Sequence, residues 1–253
     1  MSEARVGQQT GKRIEKRAEE RVYQRFDIHQ RLQHIGMFTS FLLLTLTGLP
    51  IKFEQSSFAR WVVALFGGFD NLFYAHLLGA VLMIYVSIYH LIYLVLVPLR
   101  GKKKSWAIVP GLKDFTDLFQ NLAYFLGFRK EGARFDRYSY KEKFDYWAVF
   151  WGMFIMAGSG LMMWYPQFFT AFLPRWVIDA SRYAHTDEAI LAISAIFIWH
   201  FYNVHFNNRY FPMSKVWYVG NLTREEMEED HPLELERIEK ERNVLPPQET
   251  KEE

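Results

Sequence analysis

Four long apolar runs dominate the pattern of hydrophobic and polar positions along the chain. They cover residues 32–53, 72–99, 146–169 and 185–206, with charged segments before, between and after them. A helix that crosses a bilayer needs about 20 predominantly apolar residues, and each run is long enough. A soluble bundle would show polar residues at helical period within such runs, and these show almost none. The pattern predicts an all-α integral membrane protein, a bundle of four transmembrane helices.

Lysine and arginine are distributed unevenly among the connections, and this predicts the orientation. Both residues are abundant before the first run and between the second and third runs. The opposite side carries only Arg60, Arg175 and Arg182. By the positive-inside rule, both termini and the middle connection lie in the cytoplasm. We expect a charged N-terminal segment at 1–28, a transmembrane domain at 29–210 and a charged tail at 211–253.

Two segments outside the runs have patterns of their own. Residues 113–128 space their apolar positions as an amphipathic helix does. This spacing predicts a helix that lies on the cytoplasmic membrane interface or docks on a partner subunit. The tail from Leu222 onward is rich in Glu, Lys and Arg, so we expect a solvated helix that frays into disorder.

Composition narrows the chemistry. The chain contains no cysteine, which excludes thiolate-bound iron–sulfur clusters, thioether-attached haem and catalytic thiols. A net charge of +2, without a basic–aromatic pattern, does not indicate a nucleic-acid partner. Aromatic residues make up 18% of the chain, which suits packing around a flat macrocycle but is equally ordinary in a membrane bundle. Composition alone therefore indicates no cofactor.

Seven of the eight histidines lie in or at the ends of the apolar runs, at two depths. An ionisable side chain within a bilayer is costly and is functional by default. Haem b needs two axial nitrogens on opposite faces of one ring, and so usually two helices. On the outer side only His76 and His185 are available as such a pair. Gly79, one turn beyond His76, would leave room for a porphyrin, and Arg182, one turn before His185, could pair with a propionate.

The cytoplasmic side offers more histidines than one haem can use, namely His29, His34, His90, His200 and His205. At about 100° per residue, His90 lies about 40° around the helix from His76, and His200 about 60° from His185. The two layers are about 21–22 Å apart, at about 1.5 Å per residue. Helix angles alone do not select the inner pair. We expect no acidic residue in the middle of a span.

Several segments, in this order, resemble one family of membrane cytochromes. They are RFDIHQRLQHIGMFTSFLLLTLTGLP at 25–50, YAHLLG at 74–79, RYSYKEKFDYWAVFWGMFIMAGSGLMMW at 137–164, and residues 185–202. Over about 25–237 the chain resembles the b-type cytochrome subunits of formate dehydrogenase, the gamma subunit, and of nickel–iron hydrogenase. The resemblance implies two haems b within a four-helix bundle of a bacterial or archaeal cytoplasmic membrane.

Carried over residue by residue, the resemblance implies that His76 and His185 hold the iron of the outer haem and His34 and His200 that of the inner haem. The family's helix-four histidines are usually one residue closer together than here, so a locally altered winding of this helix is an alternative. His90 and His205 depart from the family pattern. They are structural histidines, quinone-site groups or ligands of a third haem.

The resemblance also implies a quinone site beside the inner haem, near the start of the third helix, where Tyr138 and Glu142 stand. Quinone reduction consumes two electrons and two protons, so a carboxylate at the membrane edge is a suitable proton donor, with Asp145 one turn on. The alternative is that these carboxylates only pair with the neighbouring Lys141 and Lys143.

The expected function is that of a di-haem cytochrome b subunit in a membrane-bound respiratory oxidoreductase. Such a chain passes electrons across the membrane, in either direction, between quinone or quinol and a partner subunit that carries iron–sulfur clusters or several haems. It carries no nucleotide-binding motif, so we do not expect it to act alone on a soluble substrate. The alternatives are a histidine-based metal transporter and a membrane anchor without a redox role, in which histidines join helices.

Overall fold

Four long apolar helices are the main elements of the computed structural model, which describes residues 21–99, 103–207 and 210–244. They are α1 (Ile28–Lys52), α3 (Phe69–Leu99), α5 (Tyr140–Trp164) and α7 (Trp176–Ala195), the last continued by π-helical turns to Phe206. All four are long and apolar enough to cross a membrane. The prediction of four transmembrane helices is therefore confirmed at the level of helix length and composition.

Shorter elements connect the long helices and complete the chain. They are α2 (Ser57–Leu65), a 3-10 helix (Lys103–Ile108), α4 (Leu112–Phe125), α6 (Pro166–Thr170), α8 (Val216–Val219), α9 (Arg224–Asp230) and α10 (Pro232–Val244), with strands β1 (Val22–Gln24) and β2 (Asn221–Thr223). The two strands pair antiparallel, with Tyr23 opposite Leu222. This small sheet is a departure from the predicted all-α fold. The described chain divides into two compact units.

The apolar unit comprises residues 28–105 and 145–217 and holds the long helices. Many of its buried positions are small or polar, beside a few apolar ones such as Leu72 and Met83, whereas many of its large apolar side chains are exposed. On α1 the buried Gln33, Ser40 and Thr47 recur every seven residues along one face. Small and polar side chains at helix contacts, with apolar ones turned outward, are typical of helices packed within a membrane.

Two helix pairs are joined along such faces, α1 with α3 and α5 with α7. On α1, the Ser40 hydroxyl donates to the sulfur of Met83 on α3 over 3.3 Å. A Cβ on Gly36 would lie only 2.7 Å from a methyl carbon of Val86, so glycine permits the close approach of α3 there. Between α5 and α7, the Ser181 hydroxyl donates to the sulfur of Met162 over 3.1 Å.

The last part of α7 is wound as a π-helix in two consecutive turns. The backbone N–H of Phe201 donates to the carbonyl of Ile196, and that of Asn207 to Tyr202, each five residues back. A π-turn holds about one residue more than an α-turn, so the 15 residues from His185 to His200 rotate like about 14. With this winding, His200 lies about 40° around the helix axis from His185, in the opposite sense to the offset of about 60° expected for a regular α-helix.

The charged unit comprises the described residues of 21–27, 106–144 and 218–244. At its centre Glu234, 1% exposed, forms ion pairs with the buried Arg25 and, over 2.9 Å, with Arg137. The ring Nδ1 of His231 bonds to the carbonyl of Asp136 over 2.8 Å, and its Nε2 lies 3.2 Å from Nη2 of Arg25. The expectation of a solvated tail is wrong for α9 and the start of α10, because this part of the tail supplies the core of the unit.

Helix α4 is amphipathic, as predicted, and ends three residues earlier than expected. It is followed by Gly127, whose φ of +80° belongs to the left-handed region that favours glycine at a helix end. The polar residues Asp117 and Asn121 are buried, while Leu112, Phe115 and Phe119 are all more than 60% exposed. The helix therefore turns its polar face into the charged unit and its apolar face outward.

Candidate functional site

His76 on α3 and His185 on α7 face each other in the apolar unit. Their ring centroids are 6.5 Å apart, with an angle of 68° between the ring planes. Nδ1 of His76 lies 2.9 Å from the hydroxyl of Thr47, on α1. Nδ1 of His185 lies 3.1 Å from the hydroxyl of Ser159, on α5, and 3.2 Å from the carbonyl of Met156. Each ring is thus held through one nitrogen, which leaves Nε2 for another partner.

Two glycines receive these rings. A Cβ on Gly48 would lie 3.2 Å from Cε1 of His76, and a Cβ on Gly160 would lie 3.2 Å from Cε1 of His185. Both imidazoles therefore lie close to a glycine of a neighbouring helix, and a Cβ there would displace the ring by a few tenths of an ångström. Gly79, which we expected to leave room for a porphyrin, instead packs against the side chain of Leu44, 3.1 Å from where a Cβ would be. That expectation is wrong, because Gly79 serves the contact between α1 and α3.

His34 on α1 and His200 on the π-helical part of α7 form a second pair. Their ring centroids are also 6.5 Å apart, with 35° between the planes. Nδ1 of His200 lies 3.2 Å from a carboxylate oxygen of Asp145, on α5. Nδ1 of His34 is buried and has no hydrogen-bond partner among the described residues. The indole ring of Trp217 lies 5.8 Å from the His34 ring and closes one side of the pair.

The separation within each pair suits a metal held between two imidazoles. Two such rings on opposite sides of one metal place their centroids about 6 Å apart, because each metal–nitrogen bond is about 2 Å and each ring centre lies about 1 Å beyond the nitrogen. Within the described residues, no group of three or more His, Cys, Asp or Glu side chains could hold a metal ion. The described histidine pairs therefore fit a cofactor that supplies the rest of the coordination itself.

The other histidines of the apolar unit are engaged differently. Nδ1 of His29 lies 2.6 Å from the hydroxyl of Tyr89. His90 uses both ring nitrogens, Nδ1 with the side-chain oxygen of Gln33 and Nε2 with the hydroxyl of Tyr146, each over 2.9 Å. Nδ1 of His205 lies 3.3 Å from the carbonyl of Pro212. Of the two histidines considered for a third haem, His90 therefore has no ring nitrogen left for iron in this arrangement.

The remaining predicted site residues make none of the described contacts of the two histidine pairs. Tyr138 and Glu142 belong to the charged unit, where the guanidinium of Arg25 lies over the Tyr138 ring at 5.7 Å. Glu142 accepts from the backbone N–H and hydroxyl of Ser139, over 2.7 and 2.9 Å, at the start of α5. Arg182 is exposed, one turn before His185 on α7. Glu142 also lies 4.0 Å from Nη2 of Arg25, so the described contacts of Tyr138 and Glu142 are those of packing, ion pairing and helix capping.

One residue corrects an expectation about the spans. Glu188 lies on α7, one turn inside His185, within the segment able to cross a membrane. Its Oε1 lies 2.6 Å from where a Cβ on Gly152 would be, so this glycine on α5 makes room for the carboxylate. Glu188 is the thirteenth of the 31 residues of that segment, so the expectation that no acidic residue lies in the middle of a span is wrong. Asp145, Gly152 and Ser159, seven residues apart on α5, meet His200, Glu188 and His185 in turn.

Comparison of the chain with models of protein families and with curated proteins found no match.

Proposed function

We propose that this chain is a di-haem cytochrome b subunit of a membrane-bound respiratory oxidoreductase. It would lie in a bacterial or archaeal cytoplasmic membrane with both termini in the cytoplasm. The proposal depends on one observation. The apolar unit contains two pairs of facing imidazole rings, at two levels along its helices, and in each pair the ring centroids are 6.5 Å apart. On α7 the two levels are 15 residues apart, about 22 Å along a helix. His76 with His185 would hold the outer haem, and His34 with His200 the inner one.

The surroundings of the four rings support a haem at each level. Metal-bound imidazoles usually donate their second N–H to a carbonyl, carboxylate or other acceptor, which fixes the ring. Thr47, the Met156 carbonyl and Asp145 offer that support to His76, His185 and His200 respectively. His34 has a buried nitrogen that no described residue satisfies. Gly48 and Gly160 keep the outer rings close to their helices.

When bound, each haem carries one electron at a time between its neighbours. The protein supplies the position of the rings, the exclusion of water and the electrostatic surroundings. Two levels about 22 Å apart would divide the crossing of the membrane into shorter electron-transfer distances. Arg182 is exposed at the outer level and is a suitable partner for a propionate.

The two ends of the path need partners that the chain does not provide. At the inner level we propose quinone or quinol, and at the outer level a redox subunit with iron–sulfur clusters or several haems.

The exposed apolar face of the amphipathic helix α4 is suited to the lipid interface, because Leu112, Phe115 and Phe119 point outward from it. Quinone was expected beside Tyr138 and Glu142, but their described contacts are structural, which favours a site elsewhere near the inner pair.

A histidine-based metal transporter is the second function considered, and the contacts do not favour it. A relay needs rings that can exchange a metal ion with further ligands along a path. Here three of the four paired rings are fixed through Nδ1. In the part of the chain that the structure describes, no group of three or more His, Cys, Asp or Glu side chains could hold a metal ion.

The proposal is tested with the purified full chain in lipid nanodiscs, produced with haem supplied. Reduction should produce the α-band of b-type haem, and anaerobic addition of decyl-ubiquinone or menadione should remove it. Absence of the band would refute haem binding. A band that neither quinone affects, while ferricyanide removes it, would refute the quinone-reactive function.

A further inference from the structure

Gln33, His90 and Tyr146 form a chain of polar side chains that joins α1, α3 and α5. Nδ1 of His90 lies 2.9 Å from Oε1 of Gln33, and Nε2 of His90 lies 2.9 Å from the hydroxyl of Tyr146. Gln33 is only 7% exposed. These three hydrogen-bonded side chains lie between apolar helices, and none of them is a haem ligand in the function proposed above.

The chain of hydrogen bonds has a consistent direction. If the Tyr146 hydroxyl donates to Nε2 of His90, then Nδ1–H of His90 donates to the side-chain oxygen of Gln33. The Gln33 amide nitrogen, with two N–H groups, is buried and has no partner among the described residues. A buried donor without an acceptor is costly, so this amide is poised to donate to an acceptor from outside the chain.

Gln33 lies at the level of the inner histidine pair along α1. Gln33 precedes His34 in α1, and Tyr146 follows Asp145, which holds His200. Next to His90 on α3, the apolar side chains of Leu91 and Ile92 are 39% and 51% exposed. An acceptor bound at Gln33 would therefore lie at the same level as the inner histidine pair, and the exposed apolar side chains that follow His90 on α3 are suited to an apolar ligand.

We propose that the Gln33 amide binds a carbonyl oxygen of a membrane quinone, and that His90 and Tyr146 are positioning residues that hold this amide. The proposal rests on the proposed function and names the quinone site within it. A quinone carbonyl accepts hydrogen bonds, and its apolar tail suits the exposed aliphatic side chains of α3. Reduction of the quinone, Q + 2e⁻ + 2H⁺ → QH₂, would take two electrons, one at a time, from the haem that His34 and His200 would hold, and two protons from the adjacent aqueous phase.

The test uses haem-loaded chain in nanodiscs, reduced and then mixed with decyl-ubiquinone over a range of concentrations. Gln33→Leu removes the amide and keeps the approximate shape of the side chain. Its matched control is Ser40→Ala, which removes a buried polar group from the same face of α1, seven residues away. We expect Gln33→Leu to raise the half-saturating quinone concentration about tenfold or more, with the maximal rate, haem content and spectrum retained. Ser40→Ala should keep the wild-type half-saturation.

Tyr146→Phe is the conservative second variant, because it removes only the hydroxyl that holds His90. It should raise the half-saturating concentration about threefold, less than loss of the amide itself. Unchanged half-saturation in both variants would overturn the site. A Gln33→Leu protein that loses the inner haem, or whose haem spectrum shifts with unchanged half-saturation, would also overturn it, because Gln33 would then serve the haem. If the wild-type haems are not oxidised by quinone at all, the proposed function fails before any variant is compared.

Discussion

Substitution of Gly160 on α5 by residues of increasing size should displace the ring of His185, in the outer histidine pair, by increasing amounts. Alanine at this position would bring a Cβ to 3.2 Å from Cε1 of His185, so the ring would have to yield by a few tenths of an ångström. Valine adds methyl carbons about 1.5 Å farther out, and since carbon atoms pack at about 3.5–4 Å, the ring would have to move by about 1 Å or more.

Gly158 is the matched control on the same helix. A Cβ there would have no neighbour within 4 Å, so Gly158→Val changes the helix in the same way without touching the ring. Misplaced metal ligands typically lose about 10- to 100-fold in affinity, or about 1.4–2.8 kcal/mol. We therefore expect Gly160→Val to lose the outer haem, Gly160→Ala to weaken it, and Gly158→Val to retain both haems.

The assay is the amount of haem per chain after purification and washing with a haem-binding competitor such as apomyoglobin. Gly160→Val should fall to about half of the wild-type amount, with the α-band of the remaining haem unchanged. The reasoning is refuted if the two valine variants retain the same amount of haem, or if Gly160→Val removes the haem of the inner pair.

Three further predictions concern charged groups. Asp145→Asn should raise the reduction potential of the inner haem alone, by about 40–90 mV in a potentiometric titration. The reason is that a charge-assisted hydrogen bond to His200 is stronger than a neutral one by about 1–2 kcal/mol. Equal shifts of both haems would contradict this prediction. Glu234→Ala should destabilise the charged unit by about 3–5 kcal/mol, since it leaves the buried Arg25 without its counter-charge. Glu236→Ala breaks the exposed ion pair with Arg134 and should cost about 1 kcal/mol or less. Hydrogen exchange measures both effects, and equal effects would contradict the assignment. Burial and the Arg25 guanidinium lower the pKa of His231. The unfolded chain therefore binds this proton more readily, so stability should fall as the pH drops below about 6.5. His231→Gln should flatten that dependence, and an unchanged pH profile in hydrogen exchange would contradict it.

The sequence was sufficient for the long helices because a bilayer imposes length and apolarity on any segment that crosses it. It was also sufficient to select His76 and His185 as candidates, since no other histidine lies at their depth. The inner pair could not be selected from angles alone, because an ideal α-helix puts His200 about 60° from His185. The π-helical turns change that angle, and no simple residue pattern in the sequence predicts where such turns occur.

The supports of the rings were the part of the site that sequence reasoning missed. Gly48 and Gly160 contact imidazoles from other helices, and such contacts depend on how the helices are rotated against each other. A signal was nevertheless present, because the small or polar positions 145, 152 and 159 recur every seven residues. That spacing marks one face of a helix, and here it is the face that meets α7.

The charged tail was misjudged for a related reason. A segment rich in Glu, Lys and Arg is usually solvated, and composition does not reveal a partner of opposite charge from distant parts of the chain. Glu234 is buried because Arg25, 209 residues away in sequence, and Arg137, 97 residues away, form ion pairs with it.

The central claim is that two haems are held by these two histidine pairs, and a count of haem per chain tests it most directly. Pyridine haemochrome measurement on the purified chain should give two haems for the wild type and for His205→Ala, and one each for His76→Ala and His200→Ala. The account is contradicted by a wild-type protein with no haem or with three, and equally by a His76→Ala protein that keeps both.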